Sequence, residues 1–577
     1  MRDVLRRALC LLLAALLLCL SLSGCGLSSE TLGELVGENV YASEEPTAER
    51  EPVTAGAPAL TDTLWFGVSP YRADLSYEDM GYYVSAEPYL DEYIDELLKF
   101  RNGGEYEDFI EAYLNADDEL CRLYTRYTMA DIDYSADPTE ENAAISDEAY
   151  AAWMDGWDDF FDAMGSLALT DEGSALIDEL FGEGANEVFS GYEDGGSGSG
   201  EGTMAEQSLL KEYDRILTSE NPDLARAADI FAELVALRND EAFGMGYSSY
   251  ADYSYVDVYY RNFWPVEVAD TIWPSVKTYL VPVYEQFAQA SADALWRLLD
   301  SDMDCSEGRV LEALEYVAPR LSSEAAEALD YMLGYGLYDI SQSPTKLDTG
   351  FTVTLYYFNE PYLFNAAMGD IDDFTDTFHE FGHFMNAYAV QSDLLYGKPD
   401  SGLAELQSQG MEMLFTYWYE DVFGAEYASD MLLTTIYDML CSIVEGAMYD
   451  EFQQRAYAEP GLTGERACEL YMEVASEYGL DVGEDGKYDW VYVRHNFNYP
   501  FYYINYCVSA LPALELYGLL QEDPGAAADC YMQVVSLDTE YYYLDEALYE
   551  CGLPDIFDAG VYENCADLLT QSLGALV

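Results

Sequence analysis

The stretch Asp372-Asp373-Phe374-Thr375-Asp376-Thr377-Phe378-His379-Glu380-Phe381-Gly382-His383-Phe384-Met385 decides the reading of this chain. Placed on a helix, His379 and His383 project from one face a turn apart, so two imidazole nitrogens can converge on one zinc ion while Glu380 sits beside the ion's open position. Asp372 and Asp373 are plausible N-caps, and Phe374, Phe378 and Met385 can pack the helix into a core. The whole chain has three histidines, so composition alone makes a chance HExxH rare, on the order of one in a thousand.

Two histidines need a third protein ligand and a position left for water. The pattern HExxHxxGxxH fails, because Asn386 and Ala389 stand where it requires Gly and His. A carboxylate on another element is the remaining choice. Downstream, the largely apolar helical stretch Gly402 to Phe415 carries Glu405, Gln409 and Glu412 at i, i+4 and i+7, a polar stripe that is costly to bury without partners. Glu405 could complete the ligand set or be an ordinary surface acid. Glu412 could orient a histidine through its other ring nitrogen.

Working outward, the chain has 577 residues, half of them hydrophobic and 15% aromatic, enough for a sizeable core. Its 110 Asp+Glu against 24 Lys+Arg give a formal charge of −86, which repels phosphate backbones and anionic bilayers and so excludes nucleic-acid binding and a basic membrane-docking face. Helical periodicity dominates. Leu90, Tyr93, Ile94, Leu97 and Leu98 form one stripe, and Leu224, Ala227, Ala228, Phe231, Leu234 and Val235 another, with Asn221 as N-cap and Pro222 at the first helical position. Alternation of Phe351, Val353 and Leu355 predicts a strand, and Pro361 to Ala366 a second one. No CxxC pair occurs among the 11 cysteines, and six of these crowd the C-terminal quarter in an order that does not reveal pairing.

At the N-terminus, Arg2, Arg6 and Arg7 precede a short apolar run, Leu9 to Leu20, sized for a signal peptide rather than a bilayer span. Leu22-Ser23-Gly24-Cys25 resembles a bacterial lipobox, which implies cleavage before Cys25 and its lipidation. Residues 1–24 are then the signal peptide and 25–60 a flexible tether reaching roughly 30 Å. An interruption at Gly195 to Gly202 divides an N-terminal helical subdomain, 61–200, from a catalytic region, 201–577. The expected location is the cell membrane, lipid-anchored on the extracytoplasmic side of a bacterium, with the lipid on Cys25 as the only membrane contact.

From Arg238 onward the sequence resembles the thimet oligopeptidase and oligoendopeptidase F group of zinc metallopeptidases. The resemblance rests on Arg238-Asn239, Gly246-Tyr247, Pro361-Tyr362 through Asp372-Asp373 into the HEFGH motif, Glu405 with Ser408-Gln409 and Glu412, and Trp490 through Tyr506. It implies one Zn2+ per chain held by His379, His383 and Glu405, with Glu380 as general base. Leu406-Gln407 stands where the thimet type has Ala-Pro. The resemblance also makes His495, Tyr503 and Tyr506 catalytic donors toward the oxyanion and Tyr499 and Tyr502 substrate contacts; the choice between Tyr502 and Tyr503 stays open, because the gap from His495 is one residue short of the thimet type. The implied fold is mainly α and zincin-like, two-lobed, with a small antiparallel β-sheet near the site, whose segment Pro361 to Ala366 could pair with substrate as an edge strand, and with a deep channel. The implied substrates are short peptides cut at internal bonds. The alternatives are an inactive relative or a solute-binding or peptide-binding lipoprotein, although such binders usually show a βαβ alternation that is missing here.

Overall fold

The structure is a computed structural model describing residues 58–576 apart from 68–71, 87, 103–105, 182–184, 187–188, 191–199, 220, 348, 393, 395–398 and 481. Cys25, the signal segment, nearly all of the tether and most of the Gly195 to Gly202 run lie outside the described residues. The fold is mainly helical, as the periodicity predicts.

The stripe beginning at Leu90 forms α1 (Leu90–Lys99), with Leu90, Ile94 and Leu97 buried. Two long helices follow, α2 (Tyr106–Ala136) and α3 (Glu140–Ala168). Together they build a hydrophobic cluster of residues between Leu90 and Phe189, distinct from the much larger cluster that takes in Met80, Val84, Met129 and Ile132 and continues from Tyr213 to Leu569. Helix α4 (Leu224–Gly244) opens two residues later than expected, because Asp223, not Asn221, accepts the backbone N–H of Arg226 at its start.

The sheet is mixed, not antiparallel. Strands β1 (Tyr338–Asp339), β2 (Gly350–Leu355) and β3 (Glu360–Asn365) lie in the order β1-β3-β2; β3 pairs parallel with β1 and antiparallel with β2. The Pro361 to Ala366 segment is therefore central, paired with β2 along Glu360–Asn365 and with β1 at Leu363 and Phe364, and the six residues of β3 are all buried. The free edge beside the site belongs to β2. Helix α5 (Asp372–Ala389) packs across both β2 and β3 and carries the two paired histidines.

Four more helices enclose the site: α6 (Ser401–Phe415), α7 (Tyr419–Ala458, broken at Gly424), α8 (Ile504–Glu522) and α9 (Pro524–Ser536). Asp400 caps α6 by accepting the Leu403 N–H at 2.8 Å. The run Ser401–Ala458 is long and apolar enough to cross a bilayer, but 83% of its apolar window is buried within the protein, which is the behaviour of core helices. The described cysteines Cys305, Cys441, Cys468, Cys507, Cys530, Cys551 and Cys565 are free thiols. The crowding of six of them reflects helix packing in the larger core.

Candidate metal centre

The approach of α5 to α6 sets the site. At Gly382 a Cβ would fall 2.6 Å from the carbonyl oxygen of Gln407 and 2.7 Å from the Cα of Ser408, so only glycine lets the helix backbones come this close. That contact brings the histidine face of α5 over Glu405, two residues before Gln407. One ligand atom each from His379, His383 and Glu405 lie within 4.8 Å of one another. The two imidazole rings stand 5.0 Å apart at 77°.

Helix α6 is buried along nearly its whole length, and its polar residues meet partners. Gln407 donates to the carbonyl oxygens of Val534 and Leu537, Gln409 accepts from Ser509, and Ser408 donates to the carbonyl of Glu405. Glu412 takes the orienting position: its Oε1 is 2.7 Å from His379 Nδ1. A carboxylate only accepts, so Nδ1 carries a proton, and Nε2 faces the cavity, 3.6 Å from Glu405 Oε2.

The residues fit a divalent cation. Glu405 Oε1 accepts from the Tyr502 hydroxyl at 2.8 Å, while its Oε2 is buried without a hydrogen-bond partner among the described residues. Burial opposes protonation of His379, but the Glu412 hydrogen bond and the charges of Glu412, Glu380 and Glu405 outweigh it and push the pKa up to about 9. Three carboxylates thus draw positive charge to this ring, a demand that a dication would meet. His383, buried and facing His379, is pushed down to about 3 and stays neutral with a lone pair free for a metal.

Glu380 points toward the free edge of β2. Burial pushes its pKa up to about 7, against the pull of His379 and of the Thr352 hydroxyl, which donates to Oε2 at 2.8 Å. Thr352 also bonds the Glu380 carbonyl at 2.9 Å, and the Cβ position of Gly350 is 3.3 Å from Oε1. Sequence reasoning missed Thr352; a threonine in a strand carries no signal of this contact. The expected caps also differ. Helix α5 starts without a side-chain cap, and Asp373 instead accepts the N–H groups of Met368 and Gly369 at 2.8 Å, tying down the turn before the helix.

The His495 segment meets the metal centre through tyrosine. The left-handed backbone at Phe501 (φ 66°), held by Gln453 on its N–H and by Arg261 on its carbonyl, turns the chain into α8. The next residue, Tyr502, reaches Glu405. Tyr506 lies beside it, ring centroids 5.4 Å apart, within electrostatic range of both Glu405 and Glu380. Tyr503 is 4% exposed and packs edge-on against Tyr449 and against His495, so the structure places Tyr502, not Tyr503, on the ligand set. His495 lies among Tyr499, Tyr502, Tyr503 and Tyr506 at 5.0–6.2 Å; burial pushes its pKa down to about 4, and its Nδ1 has no hydrogen-bond partner among the described residues. Tyr499 is 57% exposed.

A family model described as Peptidase family M3 matches residues 326–531, the span from the helix before the sheet to α9. Over that span the chain matches peptidase family M3. Solved structures agree on the fold. The chain superposes on PZ peptidase A with inhibitor 2 at a TM-score of 0.66 and 18% identity, covering 84% of this chain and 96% of that one. Two proteins assigned as oligoendopeptidase F give TM-scores of 0.65 and 0.63 at 18% identity, covering 84% and 87% of this chain and 95% and 98% of theirs; the second is from Bacillus anthracis strain Ames. No curated protein matches the chain in sequence. The protein is thus a metallopeptidase of mainly helical fold with a small mixed sheet, and the motif-bearing helix lies inside the matched segment.

Proposed function

We propose that this M3 peptidase is a zinc-dependent oligopeptidase that hydrolyses internal bonds of short peptides outside the cytoplasmic membrane, tethered by lipid on Cys25. The observation that carries the chemistry is the convergence of His379, His383 and Glu405 with Glu380 alongside. A zinc ion held by these three residues supplies Lewis acidity toward water and the scissile carbonyl.

Glu380, deprotonated, takes the proton from the attacking water and returns it to the leaving amine. Thr352 holds the carboxylate in position for both transfers. Glu412 fixes the His379 tautomer, and the free edge of β2 offers backbone groups to an extended peptide. Tyr506, and Tyr502 once its hydroxyl turns from Glu405, with His495 behind them, are the donors nearest the place where negative charge develops. The donor role therefore passes from Tyr503 to Tyr502. The seating of Glu380 against Thr352 favours catalysis over a solute-binding lipoprotein, which needs no such base.

Metal analysis and peptide cleavage test the reading together. Wild type should carry one zinc per chain and cut peptides. His379→Ala should lose the metal, and Glu380→Gln should keep it and lose hydrolysis. Stoichiometric zinc in His379→Ala, or normal turnover in Glu380→Gln, would overturn the assignment. Tethering is tested separately: Cys25→Ala should leave the membrane fraction and take up no labelled lipid.

A further inference from the structure

The aromatic side chains of the N-terminal helices fall into a pattern that the core explains only for Trp153 and Trp157, which pack against the smaller cluster. On α2, Tyr124, Tyr127 and Asp131 occupy i, i+3 and i+7; on α3, Tyr150, Trp153 and Trp157 do the same. Each set spans about 60° of its helix, so the two make facing stripes. They meet ring to ring. Tyr127 stacks parallel on Trp153 at 5.9 Å and 1°, Tyr124 meets Trp153 edge-on at 4.7 Å, and Tyr150 meets Tyr127 and Trp153 at 5.2 and 5.8 Å. Yet Tyr124, Tyr127 and Tyr150 belong to neither hydrophobic cluster, and Tyr150 is 45% exposed.

Two interactions link this shelf to residues that flank the metal centre. Tyr124 touches Tyr356, just beyond the end of β2, at 5.5 Å. Tyr127 lies within electrostatic range of Tyr499, whose ring is 5.8 Å from His495. From Thr352, which holds Glu380, to Tyr356 is four residues of strand and turn, roughly 13 Å. A peptide extended along the free edge of β2 from the scissile bond would bring its side chain about four residues away onto the shelf.

The charge around the shelf selects the side chain. Asp131 lies on the same face of α2 within electrostatic range of both Tyr124 and Tyr127, with the Ser146 hydroxyl 3.3 Å from its carboxylate. Arg126 is about 100° or more round the helix from all three residues of that face. Aromatic faces attract cations through their quadrupoles, and the whole chain carries a formal −86.

Resting on the peptidase reading, we propose that the shelf of Tyr124, Tyr127, Tyr150, Trp153 and Tyr356, with Asp131, seats an arginine or lysine side chain of the substrate about four residues from the scissile bond. The M3 peptidase would then select basic peptides by position, over and above the diffuse attraction of its negative field.

The test is a set of fluorogenic peptides in which a single arginine is walked along an otherwise neutral sequence, each paired with its uncharged isostere citrulline. The expected result is a ratio of kcat/KM for arginine over citrulline of about fivefold or more at a position about four residues from the cut bond, near unity elsewhere, and persisting at about 1 M salt, where the Debye length falls to about 3 Å. Tyr150→Leu, at an exposed position where folding is least at risk, and Trp153→Leu should bring that ratio toward one. Equal ratios at every position, or a preference that ignores position and vanishes in salt, would overturn the shelf. If no peptide is cut at all, the peptidase reading fails instead, and the shelf is then judged by anisotropy titration of the labelled arginine and citrulline peptides with Glu380→Gln: tighter arginine binding that Tyr150→Leu removes supports it, equal binding refutes it.

Discussion

Replacing Gly382 by alanine tests how the fold makes the metal centre. The new Cβ would sit 2.6 Å from the Gln407 carbonyl oxygen and 2.7 Å from the Ser408 Cα, both backbone atoms of α6 that cannot swing away. Restoring an ordinary contact of about 3.4 Å requires α5 and α6 to part locally by about 0.8 Å. A zinc site tolerates about 0.2 Å in each ligand distance, so the displacement between the histidine pair and Glu405 is several times what the ion accepts. Overpacking of this kind costs about 1–3 kcal/mol of stability, and we expect zinc affinity to fall by about 10-fold to 100-fold or more. Chelator competition measures the affinity, and thermal melting in excess chelator measures the stability without the metal. Gly410→Ala is the control. It lies on the same helix, where its Cβ would meet the Tyr531 ring at 3.0 Å, so it should lower the melting temperature and leave the affinity unchanged. A Gly382→Ala protein that binds zinc as tightly as wild type would refute the idea that this close approach sets the ligand geometry.

Glu412→Gln should weaken zinc binding by about 10-fold to 100-fold while leaving Glu405 and His383 in place, because the amide no longer enforces the Nδ1–H tautomer of His379; the same chelator titration reads it. Tyr502→Phe should cut turnover by about 100-fold with zinc content retained, whereas Tyr503→Phe should stay within about threefold of wild type. Steady-state kinetics beside metal analysis separates the two. Burial raises the carboxyl of Asp450 to about 6 and, against its hydrogen bonds, that of Asp373 to about 7; burial also raises Glu445 to about 7. Each holds its proton more tightly folded than unfolded, so the stability it contributes is complete below about pH 4 and is lost as pH rises through about 6 to 7. Denaturant titrations should therefore give a more stable protein at pH 5 than at pH 8, and the reverse order would contradict the assignment.

The parts of the site legible in the sequence are those that local spacing determines. Two histidines four apart on one helix need only helical geometry to converge, and Glu405, Gln409 and Glu412 form a stripe whose burial implies partners. Long-range pairing was less legible. Pro361 to Ala366 reads as a strand, but nothing in six residues tells that β1 will join it in parallel and make it central, so the free edge falls to β2. Asp372 and Asp373 have the chemistry of caps, yet tertiary contacts draw Asp373 back to the Met368–Gly369 turn. The tyrosines show why spacing alone misleads. Counting from His495 along a regular helix cannot decide between Tyr502 and Tyr503, because the left-handed residue at Phe501 resets the phase just before α8.

That reset also explains why the site needs residues far from the motif. Phe501 is non-glycine in the left-handed region, a conformation that costs energy unless surrounding contacts over-determine it. Two buried side chains do so. Gln453 on α7 accepts the Phe501 N–H, and Arg261 donates to its carbonyl at 2.7 Å while its Nε bonds Asn505 at 2.9 Å. The direction of the Tyr502 hydroxyl thus depends on Gln453 of α7 and on Arg261, beyond α4, as much as on α8, whereas His379, His383 and Glu405 depend chiefly on the α5 to α6 contact. The two halves of the site are held by different parts of the core and meet where α6 packs on α8, through the 2.8 Å bond from Tyr502 to Glu405 and the bond from Ser509 to Gln409. Damage to the Arg261 clamp should accordingly lower turnover while the ligand set keeps its metal, and damage at Gly382 should do the opposite, losing the metal first.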